Sequence, residues 1–291
     1  MARPRGGPYP GPASPESPRA MSSLIIQIAS FSVLAFAALL FLVQAIAREI
    51  GVWCGLRAAK QGGSPAEGVS VVVGGMLGLL AFVLALMLSF SGARFQERRN
   101  ATLAEANAIG TAWLRAHAIG HPRGSEIARL LEDYTRVRMD FVRADPLSTD
   151  IEALNRRTNA MQGEMWGHLS VIVRERPDPV AAALMASLNE VFDLAVVERY
   201  AFTMPMPSQL FWLLIGMTTF SMGALGYQLG LRQRPLRILS LLLLGMWTAT
   251  MTVILEFGAA RAGNIRIGTT ALEWTLEGFA GGVTVPPLPP R

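Results

Sequence analysis

Residues 69–93 read VSVVVGGMLGLLAFVLALMLSFSGA, 25 consecutive positions without Asp, Glu, Lys or Arg. A helix rises about 1.5 Å per residue, so this segment is long enough to cross a hydrocarbon core of about 30 Å. The chain contains three more uncharged runs of 18 to 24 residues, at 24–47, 208–231 and 238–255. A soluble protein of this length has too little other surface to cover four such helices. We therefore predict an all-α integral membrane protein with four transmembrane helices.

Composition and charge placement agree with this class. Only 16% of the 291 residues are charged, against roughly 25% in soluble domains. Residues 94–207 hold 14 Arg against 15 Asp plus Glu, so the net charge of +5 comes from the tails and the membrane-flanking loops. That placement indicates orientation in a membrane and argues against nucleic-acid binding. Cys54 is the only cysteine, which excludes an internal disulfide and a cysteine-cluster metal site.

The charged region between the second and third spans, residues 94–207, predicts a soluble helical bundle. The helix of span two can continue from Val69 to about Ala118, because only Gly92 interrupts the pattern. Breaks at His121-Pro122, Asp145-Pro146 and Asp178-Pro179 then separate three amphipathic helices. Short connections between successive helices favour an antiparallel bundle.

The remaining boundaries follow from this division. The transmembrane helices form two pairs, at 24–93 and 208–257. Residues 1–23 are rich in Pro, Gly and Ser and predict a disordered N-terminal tail. Residues 258–291 predict an amphipathic segment followed by a Pro-rich tail.

Several short motifs resemble one known family. They are SFSGARF at 89–95, EANAIGTAWLR at 105–115, ASLNEVFDL at 186–194, SMGALGY at 221–227, and Glu256 with IRI at 265–267. Together they resemble the bestrophin-like domain family of bacterial integral membrane proteins, over roughly residues 24–276. The resemblance implies distant kinship to bestrophins, pentameric anion channels whose second membrane helix lines the pore and whose connecting segment is helical. It therefore implies a homo-oligomer in a lipid bilayer, with inorganic anions as the permeating species.

Span two carries a stripe of small residues at spacings of four and three, which has two interpretations. Small side chains permit close helix packing, and they also leave room for a pore lumen. In the second case, large apolar side chains on the neighbouring face can form a constriction that gates by dewetting. The candidates for pore lining or helix packing are Gly74, Gly78, Ala81, Phe82, Ala85, Leu86, Ser89 and Phe90.

Three arginines, Arg94, Arg98 and Arg99, follow the membrane end of this helix. In a symmetric oligomer each becomes a ring of positive charge that concentrates anions. The alternative is that they anchor the helix at the interface, with their charged heads in water and their stems along the apolar surface.

Polar residues further along the same helix, Glu105, Asn107 and Thr111, predict a buried network that sets the helix register, with ligand contact as the alternative. Glu256, at the end of span four, is expected to form an ion pair with Arg261 or Arg266. The sequence contains no Gly-rich phosphate loop, nucleophile elbow or paired catalytic carboxylates. We therefore expect no enzymatic activity, no cofactor and no metal site.

Two functional hypotheses from different classes follow. The first is an oligomeric anion-permeable channel with helix 69–93 lining the pore. The second is a non-conducting membrane sensor or scaffold whose helical bundle binds a ligand or a partner protein. Basic residues in the two short loops, Arg57, Lys60, Arg232, Arg234 and Arg237, predict that these loops are cytoplasmic and that the bundle lies outside the bacterial cytoplasmic membrane. Bestrophins keep the corresponding region inside.

Overall fold

The computed structural model describes residues 33–62, 66–145, 150–204, 207–234, 236–261 and 263–284. These residues form eight helices and no strand, which confirms the predicted all-α class. The helices are α1 (Val33–Lys60), α2 (Ala66–Ala118), α3 (Pro122–Arg143), α4 (Asp150–Glu175), α5 (Pro179–Thr203), α6 (Ser208–Leu231), α7 (Arg237–Gly258) and α8 (Thr270–Ala280). The predicted N-terminal tail, the first part of span one and most of the Pro-rich C-terminal tail lie outside the described residues.

Helix α2 is the axis of the molecule. It runs unbroken for 53 residues, which corresponds to about 80 Å. This agrees with the continuous helix predicted from Val69 to Ala118, although α2 begins slightly earlier. Its first half packs with α6 and α7, on which α1 packs in turn, and its second half packs with α3, α5 and α8.

Each half has its own hydrophobic core. In the first half, Phe36, Leu80, Leu214 and Met251 belong to one buried cluster. A larger cluster fills the second half and draws on α2, α3, α4, α5 and α8, with Ile109, Leu131, Met165, Leu188 and Leu272 among its fully buried members. The first cluster lies among the helices predicted to span the membrane, and the second joins residues of the segment 94–207 to α8, which the sequence predicts as part of a separate amphipathic segment. These two clusters are called the membrane part and the bundle below.

Helix α1 continues to Lys60, well past the expected end of span one at Ala47. The helix therefore includes Arg48, whose side chain is completely buried. The Nε of Arg48 donates to the hydroxyl of Ser240 on α7 at 2.7 Å, and its guanidinium also pairs with Glu49. An arginine next to an apolar span is tolerated here because α7 and the neighbouring carboxylate satisfy it.

Helices α1 and α6 meet backbone to backbone through glycines. A Cβ atom added at Gly51 would lie 2.1 Å from the carbonyl oxygen of Gly223, and one added at Gly226 would lie 2.1 Å from that of Arg48. A Cβ atom added at Gly55 or Gly230 would likewise lie 2.2 or 2.4 Å from a carbonyl oxygen of the opposite helix. Because membrane helices gain little from apolar burial against each other, close backbone approach of this kind is a main source of their packing energy.

Five helices are long and apolar enough to cross a bilayer by length and composition: α1, α2, α5, α6 and α7. The sequence predicted four, so α5 is the addition. It begins as expected, with Pro179 in its first turn and the Asp178 carboxylate accepting the backbone N–H of Ala181 at 2.8 Å. The length and composition of these helices support the prediction of an integral membrane protein.

Candidate pore helix and buried charge network

The membrane part of α2 has one packed face and one open face. Leu80 and Leu84 are buried against residues of α6 and α7. All eight sequence candidates for pore lining or helix packing are exposed: Gly74, Gly78, Ala81, Phe82, Ala85, Leu86, Ser89 and Phe90. A Cβ atom added at Gly74 or Gly78 would meet no atom within 4 Å. The small-residue stripe therefore packs against no described part of its own chain.

The open face continues into the bundle. At about 100° per residue, Leu103, Asn107 and Leu114 fall within about 20° of the direction of Gly78, and all three are exposed. Thr111 is exposed as well. The sequence interpretation of Asn107 and Thr111 as members of a buried network is wrong, because residues two and six positions from Glu105 point to other sides of the helix.

The three arginines at the end of the membrane segment have different surroundings. Arg94 pairs with Glu97 at 3.2 Å, and its guanidinium carbon lies 5.5 Å from the centre of the Phe90 ring. Arg99 is exposed. These two remain at the surface.

Arg98 is buried, which corrects its assignment to an exposed ring. Its guanidinium donates to the backbone carbonyl oxygens of Gly258 at 2.9 Å and of Phe257 and Ala259 at 3.3 Å. The last carbonyls of a helix lack intrahelical partners and carry partial negative charge, so Arg98 satisfies the C-terminus of α7. Burial, followed by repulsion from Arg94, lowers the pKa of Arg98.

A buried ionic network connects α2, α3 and α5. Arg138 donates from Nε and Nη2 to the two carboxylate oxygens of Glu105 at 2.7 and 3.1 Å, and from Nη2 to Glu198 at 2.5 Å. All three side chains are almost completely inaccessible to solvent. One guanidinium thus bridges two carboxylates, with the two-pronged geometry that favours strong Arg–carboxylate pairs.

Uncharged groups extend the network to α4. The Tyr134 hydroxyl donates to Glu105 at 3.3 Å and accepts from the Gln162 amide at 3.1 Å. The Thr102 hydroxyl donates to Glu198 at 2.5 Å. Four helices of the bundle are therefore joined by one set of hydrogen bonds.

The network changes the proton affinity of its members. Complete burial, reinforced by the nearby Glu198 carboxylate, raises the pKa of Glu105 well above its ordinary value despite the attraction of Arg138. Burial alone would lower the pKa of Arg138, but the two carboxylates outweigh it and the pKa rises. Arg138 stays charged, and Glu105 retains a proton more readily than a free glutamate does.

The expected ion pair between Glu256 and a nearby arginine is not formed. Glu256 accepts the backbone N–H of Asn264 at 3.0 Å, and Arg266 pairs with Asp145 at 3.2 Å. Arg261 enters the bundle, where its guanidinium carbon lies 4.5 Å from the Phe141 ring centre and 4.7 Å from that of Phe202.

Arg261 also donates to the last carbonyls of α3, including those of Phe141 and of Ala144, the latter at 3.3 Å. Burial lowers its pKa to about 10. Arg98 and Arg261 thus hold the C-termini of α7 and α3 on either side of the connection between the membrane part and the bundle.

Arg138 and Glu198 are the members of the buried charge network that sequence reasoning missed. Both lie on inward-facing stripes: Arg138 is four positions after Tyr134, and Glu198 is three after Ala195. The sequence signal that could have identified them is a charged residue at a position that the helical periodicity assigns to the core. Its partner was not visible, because α3 and α5 are far apart in the chain.

Comparison with known proteins places this fold among solved membrane-protein structures. A bacterial bestrophin homologue from Klebsiella pneumoniae matches with 17% identity and a TM-score of 0.62, over 87% of this chain and 100% of that chain. A single-substitution variant of that homologue matches with 16% identity and a TM-score of 0.64, over 86% and 98% of the two chains. A further crystal structure of a membrane protein has 17% identity and a TM-score of 0.64, over 84% and 98%.

No family model and no curated protein match the sequence. At this level of identity the likeness concerns the fold. The resemblance read from the sequence motifs is thereby confirmed at the level of the fold, which this chain shares with bacterial bestrophin homologues.

Proposed function

We propose that this protein is an oligomeric membrane channel permeable to small inorganic anions, with residues 69–93 of α2 lining the pore. The observation that carries the proposal is the open face around Gly74 and Gly78. Small residues give no packing advantage on a helix face turned toward acyl chains. On a face turned toward a lumen they leave space, and on a face turned toward another subunit they permit close packing. The shared fold with a bestrophin homologue supports the same conclusion.

The pore extends along α2 into the bundle in this proposal. Phe82 and Leu86, about 40° and 80° from the direction of Gly78, supply an apolar constriction, and Phe82 is 61% exposed in the single chain. Phe90 lies about 120° from that direction and stands at the edge of this face. At about 100° per residue, Arg99 lies about 60° from the direction of Gly78 and forms a ring at the membrane exit that raises the local anion concentration. Arg94 lies about 160° from that direction, on the opposite side of α2, and does not belong to this ring. Asn107, on the line of Gly78, lines the wider part beyond the membrane. By kinship of fold, the oligomer is a pentamer.

Four helices span the membrane in this proposal, and α5 belongs to the bundle. Two contacts tie α5 to the part of α2 that follows the membrane segment: Arg115 donates to the carbonyl of Ala183 at 2.9 Å, and Thr102 donates to Glu198. Helix α5 also carries Asp193 and Glu190 on its exposed side. Charges in that position are costly in contact with lipid.

The proposed orientation of the protein in the membrane rests on the basic residues of its two short loops. The turns after α1 and after α6 lie at one end of the membrane part, and the bundle lies at the other. Their basic residues favour the cytoplasmic side, so the bundle is extracytoplasmic in the bacterial cytoplasmic membrane. A phosphatase fusion at Pro146 is expected to be active, and one at Gln233 inactive. The reverse pattern contradicts this orientation.

The central test is chloride efflux from liposomes, combined with the mass of the purified protein in detergent. Gly78→Leu fills the open face of α2, whereas Gly245→Leu fills an equally unobstructed position on α7. We expect wild type and the Gly245 variant to be oligomeric and conducting, and the Gly78 variant to lose assembly or flux. If the Gly78 and Gly245 variants behave alike, the proposal that α2 lines the pore is wrong.

A second candidate is a sensor or scaffold that does not conduct. The outer face of α5 carries Val196, Val197 and Tyr200, with Val196 67% exposed, and an apolar patch of this kind is suited to a partner protein. Well-reconstituted wild-type protein that passes no chloride above empty liposomes, at varied pH, voltage and calcium, would favour this candidate over the channel.

A further inference from the structure

Two short connections meet at the end of the membrane part opposite the bundle. Helix α1 ends beside α6, because a Cβ atom added at Gly55 would lie 2.9 Å from the backbone nitrogen of Leu231. The first turns of α2 join them, since Ser70 Oγ accepts from Gln228 at 3.1 Å and from Arg232 at 3.2 Å. Side chains just beyond these points therefore share one small surface.

This surface is strongly basic and has few counter-charges of its own. Its exposed cations are Arg57, Lys60, Arg232, Arg234 and Arg237. Arg237 lies 3.9 Å from Glu49. For the other four, the described residues supply no carboxylate within ion-pairing distance. Exposed arginines of the bundle such as Arg129, Arg136 and Arg143 do pair with carboxylates.

Apolar side chains surround these cations. Trp53 is 62% exposed, and the guanidinium carbon of Arg57 lies 5.7 Å from its ring centre. Leu236, Ile238 and Leu239 are exposed at the start of α7, with Ile238 at 77%. Cations above an apolar surface with an interfacial tryptophan match a molecule with an anionic head and acyl chains.

We propose that this surface is a binding site for anionic phospholipid, with Arg57, Arg232 and Arg234 contacting the phosphodiester head and the start of α7 contacting the acyl chains. Bulk phosphate shares the head-group chemistry but cannot use the apolar contacts. The site depends neither on ion conduction nor on which side of the membrane the bundle occupies.

The test measures binding of phosphatidylglycerol and phosphatidylcholine to the full chain in detergent, by native mass spectrometry and by thermal unfolding. Phosphatidylglycerol is expected to bind more tightly and to raise the melting temperature more. Each arginine replaced by glutamine should weaken phosphatidylglycerol binding about fivefold. The Arg57→Gln, Arg232→Gln, Arg234→Gln triple variant should therefore show little preference for it, and the corresponding lysine triple should retain most of it.

The matched control removes three exposed bundle arginines, Arg157→Gln, Arg174→Gln and Arg199→Gln, and should bind phosphatidylglycerol as wild type does. If the triple variant fails to fold, Arg234→Gln alone keeps the test decisive. Equal weakening in the control, equal binding of the two lipids, or equal stabilisation by inorganic phosphate would each overturn the proposal.

Discussion

The two halves of α2 are joined to the rest of the chain by different means. In the membrane half, the neighbouring helices α1 and α6 meet through glycine backbones, and α2 itself leaves the face around Gly78 open. In the bundle half, large apolar side chains and the network of Arg138 hold α2 to its neighbours. Both halves of this continuous helix bury one face in a core and leave the face in line with Gly78 open, and the bundle half is in addition fixed by buried charges. In the proposed oligomer, this open face is the one that another subunit covers.

The largest expected effect comes from breaking the bundle network. Arg138→Ala leaves Glu105 and Glu198 buried without their shared cation, and removing one partner of a buried ion pair costs about 3–5 kcal/mol. We expect the bundle to lose most of its resistance to proteolysis and thermal unfolding. Arg136→Ala, on the same helix but at an exposed pair with Asp133, should cost no more than about 1 kcal/mol. Similar losses in both variants would contradict the role given to the network.

A smaller but clear effect is expected at the glycine contact of the membrane half. Gly226→Leu places its Cβ 2.1 Å from the carbonyl oxygen of Arg48, so α1 and α6 must separate, at a cost of about 1–3 kcal/mol or more. Gly216→Leu, on the same helix, meets nothing within 4 Å and should be tolerated. Melting temperatures in one detergent provide the comparison. An unaffected Gly226 variant would show that the two backbones do not meet as described.

The proton affinity of Glu105 predicts a pH effect confined to the bundle. Its pKa is raised above the ordinary value of 4.5, so the folded state holds more protons than the unfolded state once the pH exceeds that value. The free energy of unfolding should therefore fall as the pH rises from about 4.5 through the raised pKa. Thermal melts across pH 4.5–8 should show this slope in wild type and a weaker one in Glu105→Gln. Glu164→Gln, which removes an exposed carboxylate of α4, is the control.

The smallest expected effect concerns the open face at the membrane exit. If α2 lines a pore, Arg99→Glu should shift ion preference from anions toward cations without changing the melting temperature greatly, whereas Arg94→Glu, on the opposite side of α2, should leave the preference unchanged. The shift should fade at high salt, because such rings act within a Debye length of about 8 Å at physiological ionic strength. Reversal potentials in planar bilayers measure it. Arg98→Gln should instead lower stability, since Arg98 holds the end of α7.

Local patterns were sufficient for the outline of this protein. Four uncharged runs predicted the apolar helices of the membrane part, and the Asp178-Pro179 pair predicted the start of α5. The unbroken pattern from Val69 to Ala118 predicted the long helix. These features depend on residues close together in the chain, through helix length, capping and the absence of charge, so they can be read without knowing what lies across from them.

Only the tertiary structure decided what each face of those helices does. The glycines of α1 and α6 meet another backbone and those of α2 meet none, although both sets look alike in sequence. Arg98 and Arg261 turned out to hold helix ends, and Glu105 found partners on α3 and α5. The physical reason is that small residues and charges acquire their roles from groups distant in the chain. Their interaction energies depend on the distance to these partners and on burial, and neither can be read from the spacing of residues along one helix.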